Sequence, residues 1–500
     1  MSASLLQRFL AGMLATGLGS LSVVVLGMLG LMVSTRILPA AELGAFFLLQ
    51  TLVIFLAEGS SFGIHLALAR FLSGIDAPDQ QRRITSTAFL FLAPAVAFTA
   101  SSLWLCAAPL MSLLEVTLTA KLLALLVSWF VFEAFLKLTL SHHQARFAFR
   151  AIGITNALSS LVNLLVILTL VLGSGEGLAA LLAAKLLSRV AALGYAGLAC
   201  RPRLGLEFDA KLLRRMLRYS LPLYANYFLS FLSQRADTLL IGSLLGTTAV
   251  AFYEVARRIP ESLMQFHESF LQVYFTFVAR HALQQDKCRV SEFLHNSTRF
   301  GSLLLGLGCV ITFGFGREIV VLMFSDTYLE SALPFALLMA ASSLLMIEAT
   351  FGSTLAAVGD STRPLLINSV RTGLLMIAYL VLIPNFELVG AAAAALTATA
   401  AVIPVNVYFL RRRGIVVDKG AVGKPILITA LLSGLLITAS TAPAVVRAGL
   451  VISYLPAALL WSIVTRAEIA AARGWLSRHL HCQPEVANIA ADTTSDGSQR

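Results

Sequence analysis

The stretch Phe9-Leu-Ala-Gly-Met-Leu-Ala-Thr-Gly-Leu-Gly-Ser-Leu-Ser-Val-Val-Val-Leu-Gly-Met-Leu-Gly-Leu-Met-Val33 follows a lone basic residue, Arg8, and carries no charge. It is longer than the about 7 to 15 residues of a signal-peptide core, and further apolar runs follow at once. About 20 apolar residues in a helix cross the hydrocarbon of a bilayer, so this run reads as a first membrane span. The rest of the chain repeats the pattern. Hydrophobic residues fill 58% of the 500 positions and charged residues 13%. A soluble domain has roughly half and a quarter, so lipid is the solvent for most of this chain.

Apolar runs broken by Pro, Gly or charge predict spans near 10–33, 43–66, 84–107, 120–140, 152–172, 178–199, 219–243, 249–277, 299–316, 332–357, 364–383, 388–410, 425–442 and 447–465. The expected fold class is an all-α polytopic membrane protein of about 14 helices. Loop charge tests the count. With a cytoplasmic amino terminus, the inner loops hold Arg70, Arg82 and Arg83, then Arg146 and Arg150, Lys211, Arg214, Arg215 and Arg218, Arg280 and Lys287, Arg363, and Arg411 to Arg413. The outer loops hold little beyond Arg36, Arg317 and Arg447. One missed helix would exchange every later side, so the alternation supports this topology with both termini cytoplasmic. The net charge of +11 then belongs to membrane orientation rather than to nucleic acid. Cysteines 106, 200, 288, 309 and 482 show no paired spacing, so neither a disulfide framework nor a metal site is expected. The tail from Arg466 to Arg500 is basic and amphipathic around Trp475 and then polar, which predicts a surface helix followed by disorder.

The order of residues suggests a duplication. Ile37 to Phe46 after the first span resembles Leu244 to Tyr253 after the seventh. Asn156, Val171 and Gly177 are echoed at nearly constant offset by Asn368, Ile383 and Gly390. This predicts a six-helix bundle over 1–200, a basic cytoplasmic linker over 201–218 with Pro202 and Gly205, and a second six-helix bundle over 219–410. Two additional helices over 411–465 and the tail, 466–500, complete the chain.

A charge at the bilayer centre costs about 2.5 to 3.5 kcal/mol, so each needs a partner, water or a function. Glu133 and Lys137 stand at i and i+4 with the acid first, which reads as a structural ion pair. Glu254 reaches Arg257 or Arg258 and satisfies one of them. Arg235 and Asp237 lie on different helix faces, so each looks to another helix or to water. Lys185, Arg189 and Arg371 have no acid on their own helix. The cationic set Lys185, Arg189, Arg235, Arg257, Arg258 and Arg371, with Arg36 at the outer end of the first span, predicts an anionic cargo. Arginine suits phosphate because its planar fork donates two hydrogen bonds and keeps its charge. Glu58, Asp237 and Glu348 are the acids available as counter-ions or for coupling to H⁺ or Na⁺. No other cofactor is expected.

Arg36-Ile-Leu-Pro-Ala-Ala-Glu-Leu-Gly44 and Ala57-Glu-Gly-Ser-Ser-Phe-Gly63 resemble the opening of Wzx-type oligosaccharide flippases, of the multidrug/oligosaccharidyl-lipid/polysaccharide exporter superfamily. Tyr219-Ser-Leu-Pro-Leu223, Ser233-Gln-Arg-Ala-Asp237 and Tyr253-Glu-Val-Ala-Arg-Arg-Ile-Pro260 look like the second-half signature, and Leu382 to Ala391 is similar to the turn between spans 11 and 12. The likeness covers about residues 5–415. Pro39 stands where glycine is usual, and Glu58 where aspartate is common. The resemblance implies two six-helix bundles forming a V around a cationic cavity. It also implies a transporter that moves an undecaprenyl-diphosphate-linked oligosaccharide by alternating access across the bacterial inner membrane. Membrane lipids, a polysaccharide polymerase and a chain-length regulator are the implied partners.

Two other readings exist. A cation-coupled drug or metabolite antiporter of the same superfamily would favour an acid-dominated cavity. A membrane-embedded polymerase or transferase would show an extramembrane domain or a long outer loop, whereas the longest outer connection is about 15 residues. Walker, dinucleotide and zinc-protease motifs are missing. His142-His143 and His479-Leu-His481-Cys482 read as solvated.

Overall fold

The computed structural model describes residues 3–461 apart from 76, 114–115, 117–118, 175–176, 201–204, 361 and 440. The expected surface helix around Trp475, the His479 to Cys482 segment and Pro202 of the linker lie outside the described residues. Among the described residues every regular element is helical. In chain order these are α1 (Ala3–Ile37), α2 (Ala40–Ser61), α3 (Ile64–Leu72), α4 (Pro78–Leu105), α5 (Ala107–Leu113), α6 (Ala120–Ala145), α7 (Phe149–Ser174) and α8 (Gly177–Cys200). Then come α9 (Ala210–Leu283), α10 (Lys287–Met323), a 3-10 turn (Asp326–Ser331), α11 (Ala332–Ala357), α12 (Thr362–Arg412), α13 (Lys419–Thr438), α14 (Ala444–Ile452) and α15 (Tyr454–Leu460).

Ten helices among the described residues are long and apolar enough to cross a membrane. Two of them, Ser233–Leu283 within α9 and Thr362–Arg412, run 51 residues each. That is about 75 Å of helix against a hydrocarbon core of about 30 Å, so each holds two spans. Each is interrupted by a conformation no helix contains, at Gly246 (φ 82°, ψ 177°) and at Glu387 (φ 51°, ψ −130°). Gly246 tolerates this because it has no Cβ. Glu387 adopts it three residues after Pro384, which has no amide proton to continue the ladder. Splitting both helices and adding the shorter apolar stretches Val422–Thr438 and Ala444–Leu460 gives about fourteen spans, as hydropathy predicts. Phe98 and Leu105 are 75% and 80% exposed, an apolar face that suits lipid rather than water. The chain is a multi-pass membrane protein.

The helices group into two units, Met1–Lys287 with Phe315–Ile415, and Cys288–Gly314 with Val416–Arg500. In the second, Val310, Ile428, Leu436 and Tyr454 form a small core. The Tyr454 hydroxyl donates to the Leu303 carbonyl at 3.1 Å, close beside Gly306, where a Cβ would collide with it. Arg447 donates to the Gly314 carbonyl at 2.8 Å.

In the first unit, two helix crossings are so close that they require glycine. A Cβ on Gly19 of α1 would lie 2.7 Å from the Gly153 carbonyl of α7, and one on Gly44 of α2 would fall on the Thr247 carbonyl of α9. The stretch predicted as one span over 43–66 is broken into α2 and α3 at Phe62 (φ 44°) and Gly63 (φ 73°). The Phe62 carbonyl freed by the break accepts from Ser220 Oγ of α9 at 3.3 Å. Asp209 starts α9 by accepting from the amides of Leu212 (3.0 Å) and Lys211 (2.9 Å), and it pairs with Arg83 at 2.8 Å. These bonds hold its carboxyl below the usual aspartate range. Val171 and Ile383, matched in the proposed duplication, are both buried.

Candidate functional site

Polar residues on α7 recur at Asn156, Ser159, Ser160 and Asn163, a spacing that puts them on one helix face. This stripe meets Lys185 and Arg189 of α8, Ser20 and Gly27 of α1, and Arg258 of α9 around a cavity of about 330 Å³. Gly27 admits the guanidinium, since a Cβ there would lie 2.8 Å from Arg258 Nη2. Arg189 donates from Nε to Glu133 Oε2 at 2.6 Å and from Nη1 to Ser159 Oγ at 2.7 Å, and Trp129 donates to the same carboxylate at 3.1 Å. Lys185 lies 5.9 Å from the centre of the Phe46 ring. Among the described residues no carboxylate comes within 4.0 Å of Lys185 or Arg258. Asn163 Oδ1 is buried there with no hydrogen-bond partner. Two cations and an unfilled amide therefore converge on one space.

The other charges of this half pair across helices, which corrects the local reading. Lys137 pairs with Glu58 of α2 rather than with Glu133 one turn away, leaving Glu133 to bind Arg189 of α8. The i, i+4 spacing allows a contact within α6, but packing of α2 and α8 against α6 supplies each residue with a partner from another helix. Arg189 is thus supplied with an acid that its own helix lacks, so the unshared positive stripe expected on α8 reduces to Lys185.

On α9 the adjacent arginines diverge, since successive helix positions point about 100° apart. Arg258 faces the small cavity. Arg257 turns into a network with Asp237 Oδ1 at 3.1 Å, Glu254 Oε1 at 3.5 Å and Glu261 Oε2 at 3.9 Å, and it donates to the Gln234 carbonyl at 2.9 Å. Tyr253 donates to Asp237 Oδ2 at 3.0 Å, and Thr238 donates to Glu254 at 2.6 Å. Arg235 binds Glu261 at 2.8 Å and approaches Glu254 at 3.8 Å. Glu254 thus satisfies one arginine of its own pair, as expected, and Arg235 and Asp237 find partners on the returning arm of α9.

This network borders a larger cavity of about 800 Å³, together with Arg371 and Asn368 of α12 and Glu348 of α11. Arg371 donates to Asn368 Oδ1 at 2.8 Å, and Glu348 accepts from Asn406 at 3.2 Å. Asn156 and Asn368, matched by the suspected duplication, line one cavity each, and Ser20 and Gln265 line both. Arg36 stands apart from the cavities, donating to the Leu322 carbonyl at 2.5 Å, while its neighbour Thr35 donates to the Phe324 carbonyl at 3.2 Å. Sequence reasoning passed over Ser159, Asn163, Gln265 and Glu268. The first two were detectable as part of the polar face of an otherwise apolar span.

The family model described as "Polysaccharide biosynthesis protein" matches residues 33–333, more than half of the chain. No curated protein matches by sequence. Among solved structures, the lipid II flippase MurJ in an inward closed conformation is similar at a TM-score of 0.70 and 12% identity, covering 90% of this chain and 98% of that one. The Vibrio cholerae MATE transporter VcmN is similar at a TM-score of 0.56 and 17% identity, covering 82% and 98%. An inward-facing multidrug resistance MATE family transporter of the MOP superfamily gives 0.60 and 14%, covering 80% and 94%. At these identities the likeness establishes the fold, which is the one these transporters share.

Proposed function

The chain belongs to the polysaccharide biosynthesis protein family, and on that premise we propose that it is a flippase for an undecaprenyl-diphosphate-linked oligosaccharide. It carries this cargo by alternating access from the cytoplasmic to the outer leaflet of the bacterial inner membrane, with both termini cytoplasmic. The observation that carries the reading is the convergence of Lys185 and Arg258 on a polar cavity with no carboxylate within ion-pair distance among the described residues. Cations without a directly paired carboxylate are costly in a membrane, and a diphosphate supplies that pairing while accepting the guanidinium's paired hydrogen bonds. An antiporter for cationic drugs would place carboxylates there instead. Polymerase and chain-length regulator remain the partners such a cargo calls for.

Of the candidate coupling acids, Glu58 and Asp237 each face a cation, Lys137 and Arg257 respectively. Glu348 accepts from the Asn406 amide and makes no ion pair within 4.0 Å among the described residues, and it is the acid we assign to coupling. Transport in vesicles that persists without a proton gradient contradicts this part.

Lys185→Gln and Arg258→Gln are expected to abolish export of the surface glycan while the protein still reaches the membrane. Normal glycan with both well-expressed variants removes the proposal.

A further inference from the structure

The larger cavity differs in kind from the smaller. Its lining carries two guanidiniums, Arg257 and Arg371, against four carboxylates, Asp237, Glu261, Glu268 and Glu348, so its formal charge is negative. Asp237 and Glu261 are bound by the arginines of the α9 network. Glu268 is exposed to the cavity and makes no ion pair or hydrogen bond among the described residues. Ser233 is 5% exposed and its hydroxyl, at the same lining, has no hydrogen-bond partner. Arg371 Nε is likewise buried without one. These groups are set out for a ligand rich in hydroxyls. Both volumes fall within the about 300 to 1,000 Å³ of small-molecule sites, and the smaller is too confined for a diphosphate together with several sugars.

We infer that the larger cavity is the glycan subsite and that Glu268 selects neutral or amino sugars over acidic ones in the part of the cargo that follows the diphosphate. The inference rests on the diphosphate reading of the smaller cavity. The shared lining of Ser20 and Gln265 lets one molecule occupy both, with its phosphates confined to the smaller cavity by the carboxylates of the larger. Hydroxyls of a neutral sugar donate to Glu268 and bond with Ser233, whereas a uronic acid brings a like charge against Glu268.

The test titrates the full chain in nanodiscs with three probes: a polyprenyl diphosphate without sugar, the same lipid bearing a neutral disaccharide, and the same lipid bearing a disaccharide with one uronic acid. Wild type is expected to bind the first two, and the neutral glycolipid at least about tenfold more tightly than the acidic one. Glu268→Gln is expected to bring the two within about threefold. Equal binding of neutral and acidic glycolipids by wild type overturns the subsite assignment and leaves the diphosphate reading standing. A preference undiminished in Glu268→Gln also overturns it. Failure of the bare diphosphate lipid to bind overturns the diphosphate reading, and this inference falls with it.

Discussion

Arg189 and Arg257 are both guanidiniums held among helices of a membrane protein, yet they are held differently. Arg189 of α8 meets one carboxylate, Glu133 of α6, within ion-pair distance among the described residues. Arg257 meets three, from Asp237, Glu254 and Glu261, all on its own long helix folded back at Gly246. The first arrangement ties separate helices by a single ion pair, so loss of either partner leaves the other with neutral contacts only, Ser159 for Arg189 and Trp129 for Glu133. The second is redundant, since Arg235 and Arg257 share Glu254 and Glu261.

The contrast is broken most sharply at Glu133. Glu133→Leu leaves Arg189 without its acid and is expected to cost about 3–5 kcal/mol, read as a lower unfolding temperature in detergent. The Glu133→Leu/Arg189→Leu double variant should recover most of that loss; failure to recover would mean the pair is not the unit. Next comes the crossing beside the network. Gly44→Val drives a side chain into the Thr247 backbone and should cost about 2–3 kcal/mol by the same measurement. Redundancy predicts a smaller effect for Arg235→Met, about 1–2 kcal/mol, because Arg257 still faces Glu254 and Glu261. A loss as large as that of Glu133→Leu would make the two clusters alike.

The smallest effect belongs to a cluster at the helix ends, where a buried carboxylate meets two partly exposed arginines. Asp360, between α11 and α12, accepts from Arg413 at 2.8 Å and pairs with Arg363 at 2.6 Å. Burial pushes its carboxyl up, but the Arg413 hydrogen bond, the Arg363 amide and both positive charges outweigh this and hold it below the usual aspartate value. A carboxyl depressed in the fold stabilises at pH above its unfolded value near ~3.9 and loses that contribution as pH falls through the folded value. Asp360→Asn should therefore cost about 0.5–1 kcal/mol at pH 7 and nothing once the medium is acid enough to protonate Asp360. A cost independent of pH would show that the ion pairs are not its source.

Much of the fold was legible because lipid imposes length and polarity on every span. The returns at Gly246 and Glu387 fall between the predicted spans 219–243 and 249–277, and 364–383 and 388–410. The break at Phe62 and Gly63 was not legible, since Ser220 stabilises it from about 160 residues away, beyond any local pattern. The site divides in the same way. Lys185 could be singled out as a cation lacking an acid, and one of Arg257 and Arg258 as left over by Glu254, but Glu133 had a nearer apparent partner in Lys137, and only packing between α6 and α8 reveals Arg189. That Arg257 and Arg258 part company follows from helix geometry, whereas which of them faces which cavity depends on where Gly27 leaves room.

Arg258 and Gln265 lie seven residues apart on α9, two turns along one face and about 10 Å along the axis. The guanidinium faces the cavity read as the phosphate seat, and the amide stands where both cavities meet. If the cargo proposed above is seated there, the helix is a ruler that fixes how far along it the first sugar contact falls. An insertion of one residue between them would turn Gln265 by about 100° and take the mark off the scale.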